Sequence, residues 1–99
     1  MKEVIRAIVK EPGKAPQEEL IGNDLKSLQK RVGGYIKTVT AAEDLVIICN
    51  EEGKLLGLPY NCTLLGEPFV GTILFIGVDG EEFADCPISL DFFREILSE

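Results

Sequence analysis

At its centre the chain reads Leu45-Val46-Ile47-Ile48-Cys49, which is its longest uninterrupted apolar run. Such a run is typical of a β-strand that is covered on both faces. The residues that follow, 50–54, predict a hairpin loop in which Gly53 has a positive φ angle. Residues 54–56 are then predicted to form the return strand.

Upstream of this run the sequence predicts three further strands and one helix. Residues 2–10 are rich in β-branched side chains and predict an interior strand, while residues 17–21 predict a short edge strand. Asn23 is the predicted N-cap of a helix that ends at Gly33-Gly34, because apolar residues recur between them at helical spacing. Residues 35–40 are the third predicted strand.

Downstream of the run the pattern is less regular. Residues 57–68 contain glycines and prolines and are predicted to be irregular, whereas residues 69–78 predict one long strand. Asp79-Gly80 is a turn signal, after which residues 81–85 are predicted to pair back. Ser89 is the predicted N-cap of a final helix. The buried stripe of that helix is predicted to consist of Leu90, Phe93, Ile96 and Leu97.

These predicted strands outnumber the helices and do not alternate regularly with them. That pattern predicts an α+β fold, with one mainly antiparallel β-sheet of about five strands and two helices packed on it. The 99 residues suffice for one domain, which we expect to span residues 1–99.

Composition excludes several classes of protein. The net charge of −7 argues against direct nucleic-acid binding and against docking to anionic lipid, since both require a basic face. The chain contains no histidine, which excludes Ser-His-Asp and Cys-His catalysis and any His-ligated metal site. No apolar run is long enough for a membrane span, and the first residues lack a signal-peptide core. We expect a cytoplasmic, non-catalytic protein without a cofactor or metal.

The three cysteines, Cys49, Cys62 and Cys86, fit neither a disulfide framework nor a zinc ribbon, because their number is odd and none forms a CxxC pair. Cys49 is predicted to lie in the core, since it ends the apolar run. Cys62 follows Asn61 in a predicted loop and is the thiol to test for reactivity.

Charge is distributed unevenly along the chain. Residues 1–37 carry eight basic and five acidic side chains, whereas residues 38–99 carry two basic and twelve acidic ones. One interpretation is a solvated surface that keeps a small protein soluble. The other is a protein with two unlike faces, one that meets an anion and one that mimics an anion.

Two segments are candidates for ligand binding. Gly33-Gly34 follows a helix rather than preceding one, which favours a C-cap over a phosphate loop, and a backbone nest flanked by cations is the alternative. The loop that holds Tyr60 and Asn61 can stack on and hydrogen-bond a planar ligand, or it can cap the open end of the sheet. The candidate ligand-binding residues are Lys30, Arg31, Gly33, Gly34, Lys37, Tyr60 and Asn61.

Several short segments of the chain, taken together, form a specific pattern. They are Leu28-Gln29, residues 32–36, residues 48–55, Leu58-Pro59 with Asn61, and Val70-Gly71-Thr72. In this combination the chain resembles a family of small proteins from phages, plasmids and bacteria that is known only as a domain of unknown function. The resemblance implies a stand-alone cytoplasmic domain carried by mobile elements, and it brings no catalytic residues with it.

Two classes of function follow. The first is a small non-catalytic binding protein of phage or mobile-element type, which sequesters a nucleotide-type signal and so blunts a host defence. In this hypothesis Lys30, Arg31 and Lys37 hold phosphate, Tyr60 stacks on the ligand and Asn61 reads a base edge.

The second class is an acidic protein-interaction module, an inhibitor or DNA mimic, that binds a host protein through residues 38–99. A homodimer is compatible with both classes, because a chain of this size gains buried core by pairing. Residues 69–78 are the predicted dimer interface.

Overall fold

The structure, a computed structural model, describes residues 3–97. Lys2, which the first predicted strand includes, lies outside the described residues. The strands are β1 Val4–Lys10, β2 Gln17–Gly22, β3 Ile36–Ala42, β4 Leu45–Asn50, β5 Tyr60–Leu64, β6 Glu67–Val70, β7 Ile73–Asp79 and β8 Glu82–Ala84. The helices are α1 Leu25–Val32 and α2 Leu90–Ile96.

Six strands form one antiparallel sheet. Its order is β2-β1-β7-β4-β3, and β8 pairs with the end of β7. Strands β5 and β6 form a separate two-stranded antiparallel sheet. The predicted α+β fold is therefore confirmed, as are an interior β1 and an edge strand β2.

The large sheet separates two hydrophobic cores. Every residue of β4 is buried, as its apolar run predicted, because successive side chains point to opposite faces. On one face α1 packs Leu28 and Val32 against the sheet. On the other face β6 contributes Phe69, and α2 contributes Phe93, whose ring centroid lies 4.4 Å from that of Phe75.

Helix α1 has a different N-cap from the one predicted. Asp24, not Asn23, is the N-cap, and its carboxylate accepts a hydrogen bond from the Ser27 amide at 2.8 Å. That bond is the main cause that lowers the pKa of Asp24. The side-chain amide of Asn23 donates instead to the carbonyl of Phe83 in β8. At the other end Gly33 is the left-handed C-cap that the sequence predicted, with a φ of 82°.

The chain after β4 differs most from the prediction. Residues 51–57 form consecutive turns, so the predicted return strand at 54–56 is wrong. Gly53 does not have a positive φ, whereas Gly57 does. The stretch predicted to be irregular, 57–68, contains β5 and the start of β6. Leu65 and Gly66, with φ angles of 55° and 74°, form the tight turn between these two strands.

The predicted single strand at residues 69–78 is two strands, β6 and β7. Gly71, with a φ of 71°, separates them, and its amide donates to the carbonyl of Pro59 at 2.7 Å. Strand β7 lies between β1 and β4 in the interior of the sheet. Its edges are therefore occupied by neighbouring strands and do not offer the predicted dimer interface.

Helix α2 begins as predicted and packs slightly differently. The Ser89 hydroxyl accepts a hydrogen bond from the Phe92 amide, and Phe93 and Leu97 are buried. Ile96 is 50% exposed, so its place in the predicted buried stripe is wrong. Neither α1 nor α2, the helices found within residues 3–97, is long and apolar enough to cross a membrane.

Candidate binding cleft at the end of the central strand

Asn50 joins three elements at the end of β4. Its side chain is buried, and its Nδ2 atom donates to the carbonyl of Val32 at the end of α1, at 3.2 Å. Its Oδ1 atom accepts a hydrogen bond from the Glu52 amide at 2.8 Å. A Cβ atom at Gly34 would lie 2.9 Å from Nδ2, so Gly34 leaves the room that this amide occupies. Asn50 thus fixes where the following loop starts.

The loop of residues 51–57 is held by its own backbone. Amides of Gly53, Leu56 and Gly57 donate to carbonyls three or four residues earlier, at distances of 2.9–3.2 Å. A Cβ atom at Gly53 would lie 2.9 Å from the Val70 side chain, so this glycine lets the loop lie against β6. The loop therefore presents Lys54 and Leu55 at a fixed place beside β6.

A cleft with a volume of about 100 Å³ lies between β3, β4, this loop and β6. We call it the β4 cleft. It is smaller than the roughly 300–1,000 Å³ of pockets that enclose a whole drug-sized ligand, so it fits one small group of a ligand. It is lined by Lys37, Cys49, Asn50, Glu51, Lys54, Leu55, Glu67, Pro68, Phe69 and Val70.

Charges of both signs surround the β4 cleft. The ammonium of Lys37 lies 3.5 Å from a carboxylate oxygen of Glu67, with half of the lysine side chain exposed. Lys54 and Glu51 come from the loop, and both are exposed. Because the Lys37–Glu67 ion pair is partly solvated, a phosphate or carboxylate that enters can replace Glu67 as the partner of Lys37 at a small cost.

The thiol of Cys49 forms part of the wall of the β4 cleft. Burial raises the pKa of this thiol, and the nearby ammonium groups of Lys37 and Lys54 oppose that effect. The thiol is therefore protonated at neutral pH, and a protonated thiol is a poor nucleophile. Cys49 therefore lines the cleft as an uncharged side chain.

Comparison with known protein families identifies the family of this chain. A family described as a domain of unknown function, DUF3846, matches residues 5–97. The chain belongs to the DUF3846 family. Comparison with curated proteins and with solved structures returns no match. The predicted membership of a small family of unknown function is thus confirmed, and the fold and cleft above describe one DUF3846 domain.

In this DUF3846 domain the predicted site residues fall into separate places. Lys30 is exposed on α1. Arg31 donates to both carboxylate oxygens of Glu19 on β2, at 3.0 and 2.7 Å, and also lies 3.5 Å from Glu11. Of the predicted site residues, only Lys37 lines the β4 cleft.

The two glycines of the predicted nest have structural roles in the DUF3846 fold. The amides of Gly33 and Gly34 both donate to the carbonyl of Gln29, at 2.8 and 3.0 Å. Their N–H groups therefore close the end of α1 rather than pointing toward a bound anion. This arrangement is the C-cap that the sequence favoured over a phosphate loop.

Tyr60 and Asn61 lie on β5, and their side chains differ sharply in exposure. Tyr60 is 61% exposed, and its hydroxyl is 2.8 Å from the hydroxyl of Thr63. Asn61 is buried, and its Nδ2 atom donates to the carbonyls of Lys10 and Gly71, both at 2.7 Å. Tyr60 is available to stack on a ligand, whereas the amide of Asn61 ties β5 to the main sheet.

Sequence reasoning missed Lys54, Glu67 and Cys49 as neighbours of Lys37. The pairing of Lys37 with Cys49 across β3 and β4 was accessible, since both strands were predicted. The approach of Glu67 was not, because Glu67 lies in the stretch 57–68 that the sequence predicted to be irregular. Lys37 itself was predicted as a site residue because it lies close to Gly33-Gly34 in the sequence, and not because of this pairing.

Proposed function

We infer that this DUF3846 domain is a non-catalytic binding protein for a small ligand that carries a phosphate or carboxylate group. The observation that carries the proposal is the β4 cleft, where Lys37 and Lys54 flank a space that fits one anionic group. A nucleotide-type ligand would place one phosphate there and leave its remaining atoms on the surface around Leu55. The proposal is of binding without catalysis, in keeping with a Cys49 thiol whose pKa burial raises.

In its more specific form, the proposal is a cytoplasmic protein of phage or mobile-element origin that sequesters a nucleotide-type signal and blunts a host defence. The support is the resemblance that the motif segments carry, together with a cleft that suits binding without turnover. Sequestration requires only that the bound ligand is held away from its receptor, which a small cleft on a stable domain achieves.

A thermal-shift screen against inorganic phosphate, nucleotides, cyclic dinucleotides and ADP-ribose tests the proposal. A ligand present at 100 times its dissociation constant adds about 2.7 kcal/mol to the free energy of unfolding. For a domain of this size we expect the melting temperature to rise by about 10–20 °C. No shift with any of these compounds would contradict the proposal.

The variant Lys37→Gln locates the site of any ligand found. We expect it to weaken binding by about tenfold or more, because a charge-assisted contact to the anion is lost. Lys26→Gln, an exposed lysine on α1, removes the same charge away from the cleft and should leave the affinity unchanged. Weakening by Lys30→Gln but not by Lys37→Gln would instead support the predicted site at the end of α1.

A second candidate function is an acidic module that binds a host protein. The observation that favours it is the end of the sheet opposite the β4 cleft, where the amide of Val78 donates to the carbonyl of Asp44 at 3.0 Å. This bond brings the β3–β4 turn and the β7–β8 turn together. Their exposed carboxylates, which we call the acidic end, are Glu43, Asp44, Asp79, Glu81 and Glu82. Such a surface suits a basic face on a partner protein.

A further inference from the structure

Within residues 3–97, strand β3 is the last strand of the sheet on one side, so one of its edges has no neighbouring strand there. The Glu51 amide donates to the carbonyl of Tyr35 at 2.8 Å, in register with the β3–β4 ladder. Backbone groups of an antiparallel strand point alternately to its two sides. Tyr35, Lys37 and Val39 therefore point to β4, and the N–H and C=O groups of Ile36, Thr38 and Thr40 point outward.

The outward edge of β3 has little of the usual protection of an edge strand along residues 36–40. Proteins commonly guard such edges with charged residues, proline or a bulge. Among residues 36–40 the one charged side chain is Lys37 and there is no proline, and the bulge comes only after Thr40. Among residues 3–97, no backbone hydrogen bond from outside the sheet reaches residues 36–42. By contrast, the other edge strand, β2, has Glu18 and Glu19 at its middle.

We propose that two copies of this chain pair antiparallel through their β3 edges and form one continuous sheet. A two-fold axis at Thr38 sets Thr38 opposite its copy and Ile36 opposite Thr40 of the second copy. All three outward residues of each strand then take part in the ladder, and the bulge stays outside it. The register is self-complementary, as a symmetric dimer requires.

Charge favours a second copy as the occupant of this edge. In this register Lys37 faces Val39 of the second copy, so no like charges oppose each other across the seam. The antiparallel direction also brings the turn with Glu43 and Asp44 of one copy toward the end of α1 in the other, where Lys30 is exposed. Each copy thus brings the carboxylates of one turn toward an exposed ammonium group of the other copy, and such a charge complementarity orients partners.

Sedimentation and light scattering of the full chain over a concentration series test the pairing. We expect the wild type to reach twice its 10.9 kDa mass as concentration rises. Thr38→Lys places two ammonium groups directly opposite each other and should weaken self-association by about tenfold or more. Thr38→Val keeps the shape of the side chain without charge and should preserve the dimer.

Leu20→Lys is the matched control, because Leu20 is 74% exposed on the opposite edge strand and the substitution adds the same charge. It should leave self-association unchanged. A wild type that stays monomeric at every concentration would overturn the proposal, and so would a dimer that Leu20→Lys disrupts and Thr38→Lys does not. These masses are measured without ligand, so their outcome is independent of the β4 cleft.

Discussion

At the scale of single residues, Asn61 has a different role from the one its sequence context indicated. A loop amide next to an exposed tyrosine is typical of ligand recognition, which made Asn61 a candidate for reading a base edge. Its Nδ2 atom instead satisfies two buried carbonyls from β1 and the β6–β7 connection. Its Oδ1 atom has no hydrogen-bond partner in the described part of the chain. The sequence alone does not show whether the side chain of Asn61 faces solvent or the main sheet.

The variant Asn61→Ala should therefore reduce stability strongly. It leaves the carbonyls of Lys10 and Gly71 buried without this donor, at a cost of about 1–3 kcal/mol for each group. We expect the free energy of unfolding to fall by about 2–4 kcal/mol, as measured by urea titration. Tyr60→Phe, which removes only an exposed hydroxyl contact on the same strand, should change it by less than about 0.5 kcal/mol. Equal effects of the two variants would contradict this role of Asn61.

At the scale of elements, the sequence predicts those helices and strands that neighbouring residues are enough to define. β1, β4 and α1 were predicted because apolar runs, helical spacing and a glycine cap act locally. β5 and the start of β6 were not predicted, since Pro59 and Pro68 suggested a loop and the pair is stabilised by packing on the second core. The β4 cleft depends on β6, which is why only Lys37 among its lining residues was predicted as a site residue.

Helix α1 is attached to the sheet by an ion pair that depends on pH. The guanidinium of Arg31 donates two hydrogen bonds to Glu19 and holds the pKa of that carboxyl below its usual value. A carboxyl group whose pKa is lower in the folded state stabilises the fold above its unfolded value, near 4.5. This contribution is lost as the pH falls through the lower, folded value.

The variant Glu19→Gln should accordingly be less stable than the wild type by about 1 kcal/mol at neutral pH, because the pair is only partly buried. At about pH 3, which is below the unfolded value near 4.5, the difference should shrink, because the unfolded chain then binds a proton at Glu19 that the ion pair in the folded state opposes. Urea titrations at the two pH values measure both differences. Glu82→Gln, an exposed residue of β8, is the control. If Glu19→Gln lowers the free energy of unfolding by the same amount at both pH values, the ion pair with Arg31 does not stabilise the fold in the way described.

At the scale of the whole molecule, the charge imbalance along the sequence does not become a basic face. Cations of the first third pair with carboxylates of the same third, as Arg6 does with Glu18 and Arg31 with Glu19. The later, acidic part of the chain places five of its exposed carboxylates at the acidic end, while others, such as Glu52 and Asp91, are exposed elsewhere. The two ends of β4 are about 17 Å apart, since a strand rises by about 3.3 Å per residue. The predicted unlike faces are thus a mixed-charge cleft and an acidic end.

If the acidic end binds a host protein, neutralising its carboxylates should abolish the capture of that protein from a host lysate. The test variant combines Glu43→Gln, Asp44→Asn, Glu81→Gln and Glu82→Gln. A control with the same net charge combines Glu3→Gln, Glu52→Gln, Asp91→Asn and Glu95→Gln, all exposed elsewhere. We expect the wild type and the control to retain the same partner in low salt and to release it in about 1 M salt, where the Debye length is about 3 Å. If the partner is still captured in about 1 M salt and by the acidic-end variant, it binds another surface. High salt screens the attraction of these carboxylates and the substitutions remove it, so the two tests are independent.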